Sequence, residues 1–154
     1  MSEEVGSSTR IVVGVDGSPA SKAALRWAVR QAAMTGGSID VLIAWQYPVG
    51  YGWPAPVLGS FDFTGTAQRI LADAVTETVG TAPRVDIRQH VVQDHPAAAL
   101  LKAAADADLL VVGNRGHGGF TEALLGSVGQ HCVQHARCPV VVVRATEPEP
   151  GAEP

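Results

Sequence analysis

Cysteine, excess positive charge, long apolar runs and a P-loop are scarce or missing in this sequence, and each shortage closes a class of function. Only two cysteines occur, Cys132 and Cys138, and their C-x5-C spacing matches neither a redox pair nor a common zinc half-site. They read as small, buried, reduced thiols. His131 and His135 stand four apart beside them and make a formal metal constellation, but no carboxylate cluster completes it. The net charge of −4 and a pI near 5.6 offer no footprint for duplex DNA or an anionic membrane, both of which demand clustered Lys and Arg. No apolar stretch approaches the length of a membrane span. The polar start MSEEVGSSTR lacks the basic and apolar regions of a secretory leader, so the cytoplasm is the expected location. There is no G-x4-G-K-[ST] segment to bring a lysine to nucleotide phosphates, and no second carboxylate is placed to position an attacking water. Efficient phosphoryl transfer, and enzymatic activity in general, is not expected.

What is present is an ordinary globular composition, 46% hydrophobic and 17% charged over 154 residues, the usual size of one domain. A single domain over 11–145 is expected, between a flexible N-terminus (1–10) and an acidic, proline-bearing tail (146–154) whose composition reads as disordered. Ile11 to Val15 is an apolar strand. Asp16-Gly17-Ser18-Pro19 follows as a tight turn, with Ser18 suited to cap a helix from Ala20 to Thr35 and Gly36-Gly37 suited to end it. Ile39 to Trp45 is a second strand, Thr66 to Val79 a helix, Val85 to Val92 a strand and Pro96 to Ala105 a helix. Leu109 to Val112, a helix from Gly126 to His135 and the strand Val140 to Val143 complete the alternation. Strands this apolar leave no wet face, which predicts an α/β fold with a parallel sheet covered by helices on both sides.

Between the second strand and the second helix lies a stretch too rich in Pro and Gly for regular structure. Its Tyr47, Tyr51, Trp53, Phe61 and Phe63 can pack over a helix or a partner subunit, or form an aromatic lid over a ligand.

The most informative segment is VVGNRGHGGFTEALLGSVGQ. Glycines at 113, 116, 118, 119 and 126 surround a strand end and a helix start, where glycine permits positive φ and close approach of backbone N–H groups to an anion. Gly126, Ser127 and Val128 open a helix whose unpaired amides and positive dipole end attract phosphate. One dipole contributes only about 0.3–1 kcal/mol, so several amides must converge to hold a nucleotide.

Gly113, Gly116, Gly126 and Ser127 spell G-x2-G-x9-G-S. This resembles the ATP-binding signature of the universal stress protein family, and the likeness runs from IVVGVDGS to CPVVVVR. It implies a five-stranded parallel sheet of order 3-2-1-4-5, an adenine-nucleotide-binding Rossmann-like fold, with a ligand at the switch point above Asp16 and Gly113. By motif position, Gly14, Val15 and Asp16 form the first-strand wall. The Asp16 carboxylate then serves ribose or a metal ion such as the magnesium of Mg-ATP, or is simply a turn former. Ala44 meets adenine through its backbone. Val112, Gly113, Asn114, Arg115 and Gly116 flank ribose and phosphates, and Gly126, Ser127 and Val128 close on the phosphate tail. Ser127 can cap its helix as well, while Arg115 and His117 are either phosphate partners or solvated loop residues. The expected function is an ATP-dependent stress-response or signalling module. A slow ATPase, with Asp16 or His117 as base, and a cyclic-AMP binder are the alternatives. A homodimer through Val140, Val141, Val142 and Val143 is expected, because that strand falls at a sheet edge without the charges that discourage pairing.

Overall fold

A computed structural model of the chain describes residues 8–46, 62–80, 84–115 and 125–145. Strands β1 (Arg10–Gly14), β2 (Ser38–Trp45), β3 (Asp86–Gln93), β4 (Leu109–Gly113) and β5 (Val140–Val143) alternate with helices α1 (Pro19–Thr35), α2 (Phe63–Val79), α3 (Pro96–Ala103) and α4 (Ser127–His135). The strands form one all-parallel sheet of order β3-β2-β1-β4-β5. Both the class and the order match expectation.

The two-residue period of the strands sorts the core into two layers. Ile11, Val13, Ile39, Val41 and Val111 pack with Ala24, Leu25 and Ala28 of α1 and with Leu71 and Ala74 of α2. Val12, Leu42, Leu110 and Val112 pack on the opposite face with Ala99 and Leu100 of α3 and Cys132 of α4. Each fully buried Val, Leu or Ile contributes about 1.5–3 kcal/mol, so these two layers dominate the driving force.

Local chemistry sets the boundaries. Ser18 caps α1 by accepting from the Ser21 amide, and Gly36 ends it at φ 76°, a left-handed angle that a side chain resists. Helix α2 begins three residues before the expected Thr66, because Asp62 accepts the Gly65 amide and nucleates the turn earlier.

One expectation fails. Strand β3 does have a wet face: Arg88 and His90 are exposed. It is an edge strand: Ile87 and Val91 pack on one core layer and Val92 on the other, while Arg88 and His90 have no helix over them among the described residues and face water. That wet face also holds a polar cluster that the sequence did not reveal. Asp40, buried in β2, accepts from Arg10 Nε at 2.8 Å and pairs with His90 Nε2 at 2.9 Å. Burial would raise its carboxyl, but the bonds from His90 and Arg10 and their charges outweigh burial and hold it below the ordinary 3.8. Arg10 also reaches Asp106 at 2.9 Å and the Ala103 carbonyl at 3.2 Å, tying β1 to the end of α3.

Candidate functional site

Strand β1 pairs with both β2 and β4, so the chain direction reverses between β1 and β4 and the loops leaving their C-terminal ends diverge. A cavity of about 250 Å³ occupies that crevice. Its lining includes Gly14, Val15, Asp16, Ala44, Val112, Gly113, Asn114, Arg115, Gly126, Ser127 and Val128, eleven of the thirteen residues named from the sequence. The other two, Gly116 and His117, lie outside the described residues, as do Tyr47, Tyr51, Trp53 and Phe61 of the aromatic stretch and the acidic tail. Sequence reasoning missed Ser21, Leu42, Pro96, Leu100 and Gly129, which complete the lining. Ser21 was within reach, since it stands three residues after the cap Ser18. Pro96 and Leu100 carry no local signal, because only the packing of α3 across the sheet brings them here.

One lip of the crevice is a closed hydrogen-bonded turn. Asp16 Oδ1 accepts from the Ser18 amide at 2.9 Å, and the Asp16 amide donates to Ser21 Oγ at 3.2 Å. Ser21 Oγ in turn donates to the Ser18 carbonyl at 3.0 Å, and Gly17 sits at φ 85° to allow the bend. Asp16 is therefore a turn former that also lines the cavity. Ser18 Oγ reaches the Arg115 carbonyl at 3.5 Å, a long contact to the other lip.

That other lip is built differently. The Asn114 amide donates to the Val143 carbonyl at 2.8 Å, extending the β4–β5 ladder, and the Gly126 amide donates to the Asn114 carbonyl at 2.7 Å. The first helical bond of α4 runs from the Gln130 amide to the Gly126 carbonyl at 2.9 Å. The amides of Ser127, Val128 and Gly129 thus have no intrahelical partner, and no side chain among the described residues caps them. Three donors and the positive end of the helix dipole open beside the cavity, an arrangement suited to an anion.

Two details correct the sequence reading of the glycines. None of Gly113, Gly126 and Gly129 adopts positive φ; Gly126 lies at φ −72°. The Gly126 amide is spent on Asn114 and is not an anion donor. Gly113 is required by packing: a Cβ there would fall 2.6 Å from the backbone of Ala20, where β4 and α1 nearly touch. At Gly14 a Cβ would come within 2.8 Å of Leu100, so the missing side chain lets α3 settle over β1.

The formal metal constellation is not assembled. Cys132 is fully buried among Leu110 and Val112, while His131 and His135 are exposed on α4 with ring centroids 4.6 Å apart. Burial pushes the Cys132 thiol up to about 11, and burial also raises Cys138, so neither supplies a thiolate at neutral pH. Among the described residues no three His, Cys, Asp or Glu side chains gather as metal ligands, and no helix is long and apolar enough to cross a membrane.

Residues 8–144 match the model of the universal stress protein family. The chain belongs to that family. A universal stress protein of Mycobacterium tuberculosis is 37% identical over 140 residues, covering 87% of this chain but 44% of the relative, so the chain spans less than half of that protein. Among solved structures, the universal stress protein UspA from Lactobacillus plantarum superposes with a TM-score of 0.75 at 26% identity, covering 89% of this chain and 98% of that one. A universal stress protein in complex with cAMP superposes with a TM-score of 0.68 at 28% identity, covering 92% of this chain and all of the other (100%).

Proposed function

We propose that this universal stress protein binds ATP in the crevice between β1 and β4, with the phosphates at the open end of α4, and acts as a nucleotide-dependent stress-response or signalling module. The observation that carries the reading is the uncapped start of α4, where the Ser127, Val128 and Gly129 amides border a cavity at the switch point. Leu42, Ala44 and Leu100 supply an apolar wall for an adenine ring, and Ser127 adds a hydroxyl near the phosphates. Asp16 would offer one oxygen to a magnesium ion whose other ligands are phosphate and water, the usual way magnesium is held by protein. The neighbour solved with cAMP supports adenine-nucleotide binding and makes cyclic AMP the second ligand to test.

Turnover is not part of the proposal, because among the described residues Asp16 is the one carboxylate lining the cavity, with no second to place an attacking water. Two free thiols in the chain agree with a cytoplasmic setting. Dimerisation through β5 belongs to the same proposal: the strand lies at the sheet edge with half-buried valines, and Val133 on neighbouring α4 is 49% exposed.

Calorimetry with ATP, ADP, AMP and cyclic AMP, together with mass spectrometry of natively purified protein, tests the ligand. Tightest binding of ATP, or its co-purification, is expected. Tighter binding of cyclic AMP would replace the proposed ligand, and failure of all four to bind would overturn the site. For the dimer, light scattering should give twice the chain mass for the wild type and a monomer for Val142→Pro: the carbonyls of Pro139 and Val143 face β4, so Val142 lies on the outward-facing set and its amide is a donor on the open edge.

A further inference from the structure

Helix α3 starts at the cavity, and its start depends on a titratable side chain. Pro96 and Leu100 line the site, and the residue before them, His95, is the helix cap: its Nδ1 accepts a hydrogen bond from the Ala97 amide at 3.2 Å. Because an amide N–H can only donate, Nδ1 must carry a lone pair and the imidazole must be neutral, with its proton on Nε2. We infer that His95 is a positioning residue for this wall of the nucleotide site, capping α3 only in its neutral form, so that acidification frees the first turn of α3 and weakens binding. The inference rests on the nucleotide reading above and adds a proton dependence to it.

Protonation acts twice in the same direction. It places a hydrogen on the accepting nitrogen, which ends the cap, and it sets a positive charge at the positive end of the helix dipole. Imidazole is the side chain that changes charge in this way between about pH 8 and pH 5. The other side-chain caps do not: Ser18 carries a hydroxyl and Asp62 a carboxylate. His95 is exposed, so protons reach it directly.

The surrounding charges are few. Asp94 lies beside the ring, and its Oδ1 accepts the His95 backbone amide at 2.7 Å. Its Oδ2 is held by Lys102 at 3.3 Å, which offsets the attraction of that carboxylate for an imidazolium. From β1, Arg10 reaches the far end of α3 at the Ala103 carbonyl and holds Asp40 of β2, and from α4, His131 and His135 pack ring against ring. The cap bond therefore exists only while Nδ1 carries no proton.

The test compares wild type with His95→Asp, a cap that keeps accepting through the range, and His95→Ala, which lacks a cap throughout. ATP affinity should fall about fivefold more in wild type than in His95→Asp between about pH 8 and pH 5.5, the ordinary effect of losing one helix cap. His95→Ala should already show the weaker value at the higher pH. Equal pH profiles for wild type and His95→Asp would overturn the inference. Amide exchange of Ala97, read by NMR without nucleotide, is an independent measure of the cap: protection should drop with acid in wild type and hold in His95→Asp, and unchanged protection in wild type would also overturn the inference. If no nucleotide binds at either pH, the ligand reading fails while amide exchange still decides whether His95 is a proton-sensitive cap.

Discussion

Helices α1 and α4 begin on opposite lips of the same crevice, yet their first turns are finished in opposite ways. At α1 the chain satisfies its own donors: Ser18 accepts from Ser21, and Asp16 accepts from Ser18. At α4 the cap is Gly126, and among the described residues no side chain bonds back and the Ser127, Val128 and Gly129 amides stay open beside the cavity. The difference teaches where stability and function part. A donor satisfied from within fixes the turn at all times, whereas one left open is satisfied only by water or by a ligand.

The sharpest way to break this contrast is to finish α4 like α1. Gly126 sits at φ −72°, ψ 171°, an ordinary cap geometry that any residue adopts, so Gly126→Asp needs no backbone change to bond to the open amides. Its carboxylate would also occupy and repel the phosphate position. Nucleotide affinity should fall about 100-fold or more, corresponding to two lost hydrogen bonds to a charged group. Thermal stability should stay level or rise. Calorimetry and a melting curve on the same protein read both, and retained affinity would move the phosphates away from α4.

The next effect concerns stability. Gly113→Ala forces a Cβ against the backbone of Ala20, where no flexible side chain can yield, and should destabilise the fold by about 3 kcal/mol in urea unfolding. Unchanged stability would show that the start of α1 moves freely. Asp40→Asn probes a polar group satisfied at the other end of the sheet and should cost about 2 kcal/mol at neutral pH, since Arg10 and His90 lose their charged partner. The folded Asp40 carboxyl lies below 3.8, so its contribution is complete above that value and is lost as pH falls through the lower folded value. The gap between wild type and variant should therefore close in acid. Smallest is Ser18→Ala, which uncaps α1 and should cost about 1 kcal/mol, with a modest loss of affinity through the loosened Asp16 turn. A loss of affinity as large as that of Gly126→Asp would erase the distinction between the two lips.

The order of elements was legible because apolar periodicity and cap chemistry are local. Ser18 followed by Pro19, and Gly36 at a positive φ, behave as their residue types dictate. The site was legible in outline because strand ends, glycines and a Ser-led helix are also local signals. Where expectation and structure part, the cause is distance along the chain. Gly113 looked like a phosphate glycine, but α1, almost a hundred residues earlier, determines what can stand there. Strand β3 looked like a core strand, yet its place at the edge left Arg88 and His90 in water.

By itself, then, the sequence determined the alternation of strands and helices, the family signature and the residues that line the strand ends, since each rests on neighbours a few positions apart. Only the tertiary structure decided that Pro96 and Leu100 wall the cavity, that Asp40 is held by Arg10 and His90, that Gly126 spends its amide on Asn114, and that the Ser127, Val128 and Gly129 amides find no partner among the described residues. The physical reason is that pairing, burial and hydrogen-bond satisfaction are set by what folding brings alongside, and no local pattern records the partner.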